Sequence, residues 1–223
     1  MTGLLLVNKP LHWSSMDVIR RVRKLTGIKK VGHAGTLDPL ATGLLLVCIG
    51  RESTKKIDLL MGLEKEYRTT IDLTSFSTTD DAEGEKTVIS IATPPTHAQV
   101  VQVLQKFIGT IRQVPPRYSA IHINGQRAYK MARRDEDFEL EARTVLIHAI
   151  NLLDYTWPQL TLDITCGKGT YIRSLGRDIG KQLGTGGHLI KLERTAIGQY
   201  SVDHAVKIES ITTITPDMLQ DTV

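Results

Sequence analysis

The stretch Gly32-His-Ala-Gly-Thr-Leu-Asp-Pro-Leu-Ala-Thr-Gly43 governs how the rest of the sequence is interpreted. It carries a single carboxylate, Asp38, followed directly by Pro39. Proline fixes its own φ and keeps the preceding residue out of the helical region, so Asp38 is expected on stiff, extended backbone. The apolar run Leu44–Ile49 that follows predicts a buried strand. A stiff loop beside a core strand is a typical place for a catalytic group, but Asp-Pro is also ordinary turn chemistry, and spacing alone leaves both interpretations open.

The composition is that of a globular, intracellular protein. The chain has 223 residues, 41% hydrophobic and 23% charged, which allows one large domain or two small ones. Cys48 and Cys166 lie in apolar runs and are expected to be buried free thiols. No signal segment is recognised, and no stretch approaches the ~18 apolar residues of a membrane helix, so we expect a cytoplasmic protein. A net charge of +4 permits a polyanionic partner without requiring one.

The apolar patterning predicts an α+β fold. Strands are expected at Gly3–Val7, Leu44–Ile49, Lys65–Leu73, Val145–Tyr155, Leu160–Cys166 and, as the last strand, Leu189–Gln199. Helices are expected near Ser53–Leu60 and after caps at Ser14 or Ser15, Thr96 and Thr170, with Gly27 and Gly184 ending the first and last. Thr74–Gly84 is predicted to be an acidic surface loop, and Asn124-Gly125 a hairpin turn. Because strands outnumber helices and mix with them irregularly, we expect a mixed, largely antiparallel central sheet flanked by helices.

Two basic segments are candidates for contact with a nucleic acid. Six cations lie on the first helix and just after it: Arg20, Arg21, Arg23, Lys24, Lys29 and Lys30. The second segment, Arg127–Arg134, holds four cations with Tyr129 among them, a combination that suits looped or single-stranded RNA. A plain solvated surface is a comparable alternative for each segment.

Four separated stretches form one recognisable combination: Asn8-Lys-Pro10, Gly32–Gly43, Val114–Ala120 and Gly169–Ser174. Together they resemble the TruB-type tRNA pseudouridine synthases, which isomerise a uridine in the T-arm of tRNA. The pattern Gly-Thr-Leu-Asp-Pro-x-Ala-x-Gly is highly specific for this group, and Lys65-Glu-Tyr67 and Gly187–Leu192 also fit. The resemblance implies a pseudouridine synthase catalytic domain over residues 1–205. Family members usually continue into an RNA-binding module of the PUA type. Here residues 206–223 follow the catalytic domain, and they are expected to be a short tail without a complete module.

The resemblance also implies roles for individual residues. Three residues are expected to be catalytic. Asp38 matches the essential aspartate that bonds covalently to the substrate nucleoside, and Arg173 the arginine that ion-pairs with it. Tyr67 matches a tyrosine packed against the target base and proposed as the base that removes the proton. His33 matches a histidine that fills the space vacated in the RNA stack, and Leu192 a residue lining the pocket. The residues expected to bind substrate are His33, Tyr171, Leu192 and Lys9, together with Arg127 and Lys130 of the second basic segment.

The reaction implied by the resemblance agrees with the residues present. It breaks the bond from sugar to ring nitrogen and rejoins the uracil through carbon 5, so it involves no redox change, and we expect no cofactor and no metal. Gly167-Lys-Gly-Thr170 lacks the spacing of a phosphate loop, and His33 with Asp38 supplies only two metal ligands. A carboxylate in an apolar pocket tends to protonate, and a guanidinium such as Arg173 holds it ionised. Extruding the target base costs a few kcal/mol, which stacking on Tyr67 offsets.

The expected partner is therefore the T-arm stem-loop of tRNA, bound by a monomeric enzyme. Two other functions remain open: a non-catalytic RNA-binding protein that keeps the pocket as a binding feature, and an enzyme of the same fold in a guide-RNA particle. The intact Asp38, Tyr67 and Arg173 argue against the first. The lack of basic terminal extensions argues against the second. The first chemical step that Asp38 performs is left open by the sequence.

Overall fold

The computed structural model describes residues 1–123 and 125–221 and has the mixed strand and helix content of an α+β protein. The strands are β1 (Gly3–Lys9), β2 (Val31–Ala34), β3 (Ala41–Ile49), β4 (Lys65–Asp72), β5 (Ser75–Ser77), β6 (Lys86–Val88), β7 (Gly109–Gln113), β8 (His122–Ile123), β9 (Gln126–Arg127), β10 (Arg143–Thr156), β11 (Gln159–Cys166), β12 (His188–Ile197), β13 (Tyr200–Ser201) and β14 (Val206–Lys207). The helices are α1 (Ser15–Thr26), α2 (Arg51–Thr54), α3 (Ile57–Gly62), α4 (His97–Gln105), α5 (Ala128–Ala132) and α6 (Ile172–Leu183). Within these described ranges, no helix is long and apolar enough to cross a membrane.

The chain divides into two units, one formed by Met1–Arg68 with the chain from Lys191 onward, the other by Thr69–Ile190. In the first unit β3 is the central strand. β1 pairs antiparallel with β3 along its whole length, β2 pairs antiparallel with it, and β12 runs parallel to it with Leu192 opposite Ala41. Both faces of β1 and β3 are covered by apolar side chains, which explains why Leu44–Ile49 is a continuous apolar run rather than an alternating one.

Helix α1 covers one face of this sheet, as its sequence predicts. Ser14 caps the helix in a capping box with Asp17, and Gly27 ends it in the left-handed conformation with φ of 70°. The side chains of Val18, Ile19 and Val22 are buried against β1 and β3. The predicted cap, apolar face and end of this helix are confirmed.

The second unit contains the longest antiparallel hairpin, in which β10 pairs with β11 on one side and with β7 on the other. Helix α4 begins after Thr96, as predicted, and packs against α6 and β10. Helix α6 begins at Ile172 with Tyr171 at its N-cap position, one residue later than predicted, because the Thr170 hydroxyl donates to the Gly167 carbonyl at 3.1 Å instead. The small sheets β5–β6 and β8–β9 complete the unit. Asn124 of the predicted hairpin turn lies outside the described residues.

Three predictions of local structure need correction. The glycine-rich stretch is a loop only over residues 35–40, because β2 and β3 take up its two ends. The predicted helix at Ser53–Leu60 is two short helices, α2 and α3. Leu189–Gln199 is not the last strand, because β13 pairs with β12, and β14 pairs with β1.

The segment Thr74–Gly84 is not the surface loop that its polar composition predicts. It contains β5, and Ser75, Ser77, Asp80 and Asp81 are all buried. Its hydroxyls and carboxylates are hydrogen bonded or ion-paired inside the second unit, which offsets part of the cost of burying them. Both cysteines are buried free thiols, as expected.

Candidate active site

The loop that carries Asp38 is held at several points by hydrogen bonds within the first unit. The Ser15 hydroxyl accepts from the Leu37 N–H at 2.9 Å and donates to the Leu37 carbonyl at 3.1 Å. The N–H of Ala41 donates to the Asp38 carbonyl at 3.0 Å, which closes a turn over Pro39, and the N–H of His12 donates to the Pro39 carbonyl at 2.8 Å. The loop is therefore stiff and contains the Asp-Pro turn, and the catalytic role of Asp38 stays a prediction.

Lys9 supports this loop from beneath. Its side chain is 0% exposed, and its ammonium donates to the carbonyls of Trp13, Pro10 and Pro39 at 2.6, 2.9 and 3.4 Å. Burial lowers the pKa of Lys9 to about 8, and the negative charges of Asp38 and Asp17 oppose that shift. This buried ammonium braces the Asp38 loop through its three carbonyl partners. The predicted contact of Lys9 with substrate stays a prediction.

Arg194 braces the same loop from β12. Its side chain is almost fully buried, and its guanidinium donates to the Leu44 carbonyl at 2.7 Å and to the Gly35 carbonyl at 3.0 Å. Gly43 has φ of 95°, and a Cβ there would overlap the backbone of Arg194, so glycine permits the close approach of β3 and β12. Sequence reasoning missed Arg194, although its position two residues after the predicted pocket residue Leu192 in the same strand was a signal.

His33 lies on β2, next to this loop, and is partly buried. Burial, and to a smaller extent the positive charge of Arg194, lower the pKa of its imidazole, so His33 is neutral at neutral pH. Its Nδ1 atom is buried and has no hydrogen-bond partner among the described residues. A neutral ring with an unsatisfied nitrogen is compatible with the predicted contact to RNA bases, which stays a prediction.

Tyr67 and Leu192 are both half-buried and pack against one apolar cluster of the first unit. That cluster includes Leu37 and Ala41, which flank the Asp38 turn on either side. The first unit thus packs two of the predicted pocket residues against the same core cluster as the residues that flank Asp38. Their predicted contact with the target base stays a prediction.

Arg173, on the first turn of α6, is buried in the second unit at 6% exposure. Its guanidinium donates to the carbonyls of Thr79 and Tyr118 at 3.0 and 2.9 Å and lies 3.5 Å from the Asp81 carboxylate. Asp81 is itself held by the Thr79 hydroxyl and by the N–H of Glu83. An arginine fixed in this way presents its charge in one orientation. Its predicted ion pair with Asp38 stays a prediction.

Asp80 and Arg177 form a second ion pair beside the first, and sequence reasoning missed both residues. The Arg177 guanidinium lies 2.7 Å from the Asp80 carboxylate and 3.0 Å from that of Asp178. Burial raises the pKa of Asp80 to about 6, although Arg177 and Arg173 oppose the shift. The signal in the sequence was a pair of adjacent carboxylates matched by two arginines four residues apart on one helix face.

The remaining predicted RNA contacts lie on the second unit. Tyr171 is held through its backbone, which exchanges two hydrogen bonds with the Gln113 amide. Arg127 and Lys130 are exposed at the start of α5 and in its middle. The Cζ atom of Arg133 lies over the ring of Tyr129, 5.6 Å from its centroid, so one face of that ring already has a cationic neighbour. Exposure is what the prediction requires of Arg127 and Lys130, and their contact with RNA stays a prediction.

The first basic segment has fewer uncommitted charges than its sequence suggests. Arg20 pairs with Asp17 at 2.7 Å, Arg21 donates to the Ile211 carbonyl, and Arg23 donates to the Val31 carbonyl. The contacts of Arg21 and Arg23 tie α1 to its own unit, whereas the Arg20–Asp17 pair lies within the helix. The three lysines of the segment, Lys24, Lys29 and Lys30, are exposed.

Comparisons with known proteins agree with one another. Residues 23–172 match the model of the N-terminal domain of TruB family pseudouridylate synthases, and residues 173–221 match that of the tRNA pseudouridylate synthase B C-terminal domain. The tRNA pseudouridine synthase B of Parabacteroides distasonis is 44% identical over 214 residues, covering 93% of this chain and 91% of the relative. That of Thermobifida fusca is 44% identical over 217 residues, covering 94% of this chain and 74% of the relative.

Solved structures show the same likeness. A chain in the crystal structure of a Cbf5-Nop10-Gar1 complex superposes with a TM-score of 0.74 and 26% identity over 94% of the present chain. The present chain spans about half of that longer chain, 53% of its length. The likeness supports the mixed, largely antiparallel α+β fold described above.

Proposed function

Because this chain belongs to the TruB family of pseudouridylate synthases, we propose that it converts a uridine of tRNA to pseudouridine without a cofactor. The observation that carries the proposal is identity of 44% to a tRNA pseudouridine synthase B over nearly the whole of both chains. We further propose that the target uridine lies in the T-loop and that the enzyme acts as a monomer in the cytoplasm. The T-loop target rests on the resemblance of the sequence motifs around Asp38 and Arg173.

The chemistry assigns one essential task to the carboxylate of Asp38. The bond between the sugar and ring nitrogen 1 breaks, the uracil turns, and a bond forms from the sugar to carbon 5, which then loses its proton. An ionised carboxylate serves either as a nucleophile or as the electrostatic partner of a cationic sugar. The hydrogen bonds that fix Leu37, Pro39 and Ala41 support this role, because they place Asp38 on backbone that does not need to reorganise during turnover.

We propose that Arg173 pairs with Asp38 and keeps it ionised. A guanidinium stays charged at any working pH, and the carbonyls of Thr79 and Tyr118 fix the plane of this one. Tyr67, on the apolar surface beside the Asp38 loop, supplies a ring on which an extruded uracil can stack. His33, Leu192 and Tyr171 complete the proposed contacts to the nucleotide and its neighbours.

The test is replacement of Asp38 by Asn, which preserves size and removes the charge. We expect Asp38→Asn to reduce release of tritium from carbon-5-labelled uridine in tRNA by at least about 10⁴-fold, because no other group replaces the carboxylate. Its affinity for tRNA is expected to stay within about threefold of the unchanged protein. Near-normal turnover by this variant would overturn the role of Asp38, and absence of turnover by the unchanged protein would overturn the proposed activity.

A guide-RNA particle is the second candidate, since the superposed Cbf5 chain was solved in a complex with Nop10 and Gar1. The higher identity to the tRNA enzymes, 44% against 26%, favours action on tRNA. A transcript of a complete tRNA, given to the purified chain alone, separates the two: a stand-alone enzyme forms pseudouridine in it without added protein or guide RNA.

A further inference from the structure

We propose that the Asp80–Arg177 ion pair is a positioning device that fixes the guanidinium of Arg173. The inference rests on the proposed function, in which Arg173 is the partner of Asp38. Neither Asp80 nor Arg177 is assigned contact with substrate. Both act through the backbone that holds Arg173.

Two arginines of α6 make parallel sets of contacts inside the second unit. Arg173 and Arg177 are one helical turn apart on α6, and each bridges the same two backbone segments, residues 79–81 and 114–118. Arg173 binds the carbonyls of Thr79 and Tyr118. Arg177 binds the Asp80 carboxylate at 2.7 Å and the Val114 carbonyl at 2.8 Å. The contacts of Arg177 therefore help to set the distance between the two segments whose carbonyls bind Arg173.

Arg177 shares its contact with segment 114–118 with Ser174, and it shares its contact with segment 79–81 with Arg173, the residue that it is proposed to position. Ser174 also holds the Val114 carbonyl, at 2.9 Å, and Gln113 holds the backbone of Tyr171. From α6 to segment 79–81, the described side-chain contacts are those of Arg173 and Arg177 alone. Asp80 also has a left-handed backbone with φ of 61°, which aspartate tolerates but does not favour, so its side-chain contact helps to hold that turn.

The charge of Asp80 is sensitive to its surroundings near neutral pH. The charged groups that act on it are Arg177, Arg173 and Asp178, all from α6. On the other side, Lys86 donates to the carbonyl of the neighbouring Asp81, and the Leu189 N–H donates to the Asp80 carbonyl. Burial outweighs the two arginines and raises the pKa of Asp80 to about 6. Below that pH Asp80 is protonated and its ion pair with Arg177 is lost.

The raised pKa of Asp80 allows a positioning role to be distinguished from a stabilising role. Because the folded pKa lies above the unfolded value, the folded state binds more protons between about pH 4 and pH 6, and stability from this group falls as pH rises through that window. Ionised Asp80 is thus unfavourable for folding by itself. A purely structural role predicts a variant that melts lower, whereas a positioning role predicts an uncharged variant that is as stable and slower.

The test compares Asp80→Asn with Asp178→Asn. Both remove one carboxylate from the same guanidinium, but Asp178 makes no link to segment 79–81. We expect Asp80→Asn to lower kcat at pH 7.5 about tenfold, with KM for tRNA within twofold and an unchanged melting temperature. In the unchanged protein, kcat is expected to fall as the pH is lowered, with a midpoint near pH 6. In Asp80→Asn this fall is expected to be absent. Asp178→Asn is expected to keep kcat within twofold and to keep that fall.

Hydrogen exchange read by mass spectrometry gives a second measurement that does not depend on turnover. Asp80→Asn is expected to speed exchange in peptides covering residues 78–84 and 113–119, and Asp178→Asn to leave both unchanged. Normal kcat with the acid limb retained in Asp80→Asn overturns the inference, as does equal loss in both variants or unchanged exchange in both peptides. Tritium release by the unchanged protein reports separately on the proposed function, and exchange still decides the positioning role if that release is absent.

Discussion

Lys9 shows at the level of one residue how a charge that suggests substrate binding can serve the backbone instead. Its ammonium satisfies three carbonyls around the Asp38 loop, including that of Pro39 itself. We expect Lys9→Met, which keeps the length of the side chain, to lower kcat about tenfold or more, because the loop loses its brace. Unsatisfied carbonyls should also lower the free energy of unfolding by about 1–3 kcal/mol. Tritium release and urea denaturation measure the two effects.

The matched control for Lys9→Met is Lys24→Met. Lys24 is exposed on α1, and its substitution removes the same charge from the molecule. It is expected to leave both kcat and stability unchanged. A lower stability of Lys9→Met with normal kcat would limit Lys9 to a structural role. The bracing role of Lys9 was not predicted from the sequence, because its carbonyl partner at Pro39 lies 30 residues away and no local pattern reveals it.

At the level of elements, the link between α1 and the Asp38 loop can be tested with two neighbouring serines. The Ser15 hydroxyl bonds the backbone of Leu37 twice, whereas the Ser14 hydroxyl caps α1. Ser15→Ala and Ser14→Ala should each cost about 1 kcal/mol of stability. Only Ser15→Ala is expected to lower kcat, by about threefold to tenfold, because only it releases the loop. Equal kcat in both variants, measured at matched stability, would show that this contact does not tune the loop.

Elements specified by local sequence were predicted well, and those specified by distant partners were not. The residues that form the cap, apolar face and end of α1 all lie within Ser14–Gly27. The strands β3 and β11 are predicted from the periodicity and length of their apolar runs alone. The segment Thr74–Gly84 reads as a solvated loop until Arg173 and Arg177, more than 90 residues later, neutralise its two buried carboxylates. For the same reason Asp38 and Arg173 were predicted from motifs, whereas Asp80, Arg177 and Arg194 were missed.

At the level of the whole molecule, a net charge of +4 says little until the charges are located. Three arginines of the α1 segment have partners inside the first unit, and the exposed lysines Lys24, Lys29 and Lys30 carry the rest of its positive charge. Arg127 and Lys130, in contrast, are exposed beside the half-buried ring of Tyr129. Local contacts and long-range attraction by the net charge therefore predict different results when charges are removed from the two segments.

Two double variants separate these possibilities, because Arg127→Gln/Lys130→Gln and Lys24→Gln/Lys30→Gln each reduce the net charge from +4 to +2. If Arg127 and Lys130 each contact a phosphate of a looped strand, the slope of log K against log salt falls in magnitude by about 1.4, at about 0.7 per contact. We expect that change, with affinity for tRNA lowered about tenfold, only in the first variant. Fluorescence anisotropy across 50–300 mM salt gives both values, with ~0.15 M as the physiological reference. Equal weakening in both variants would mean that net charge, rather than contact at α5, attracts the tRNA.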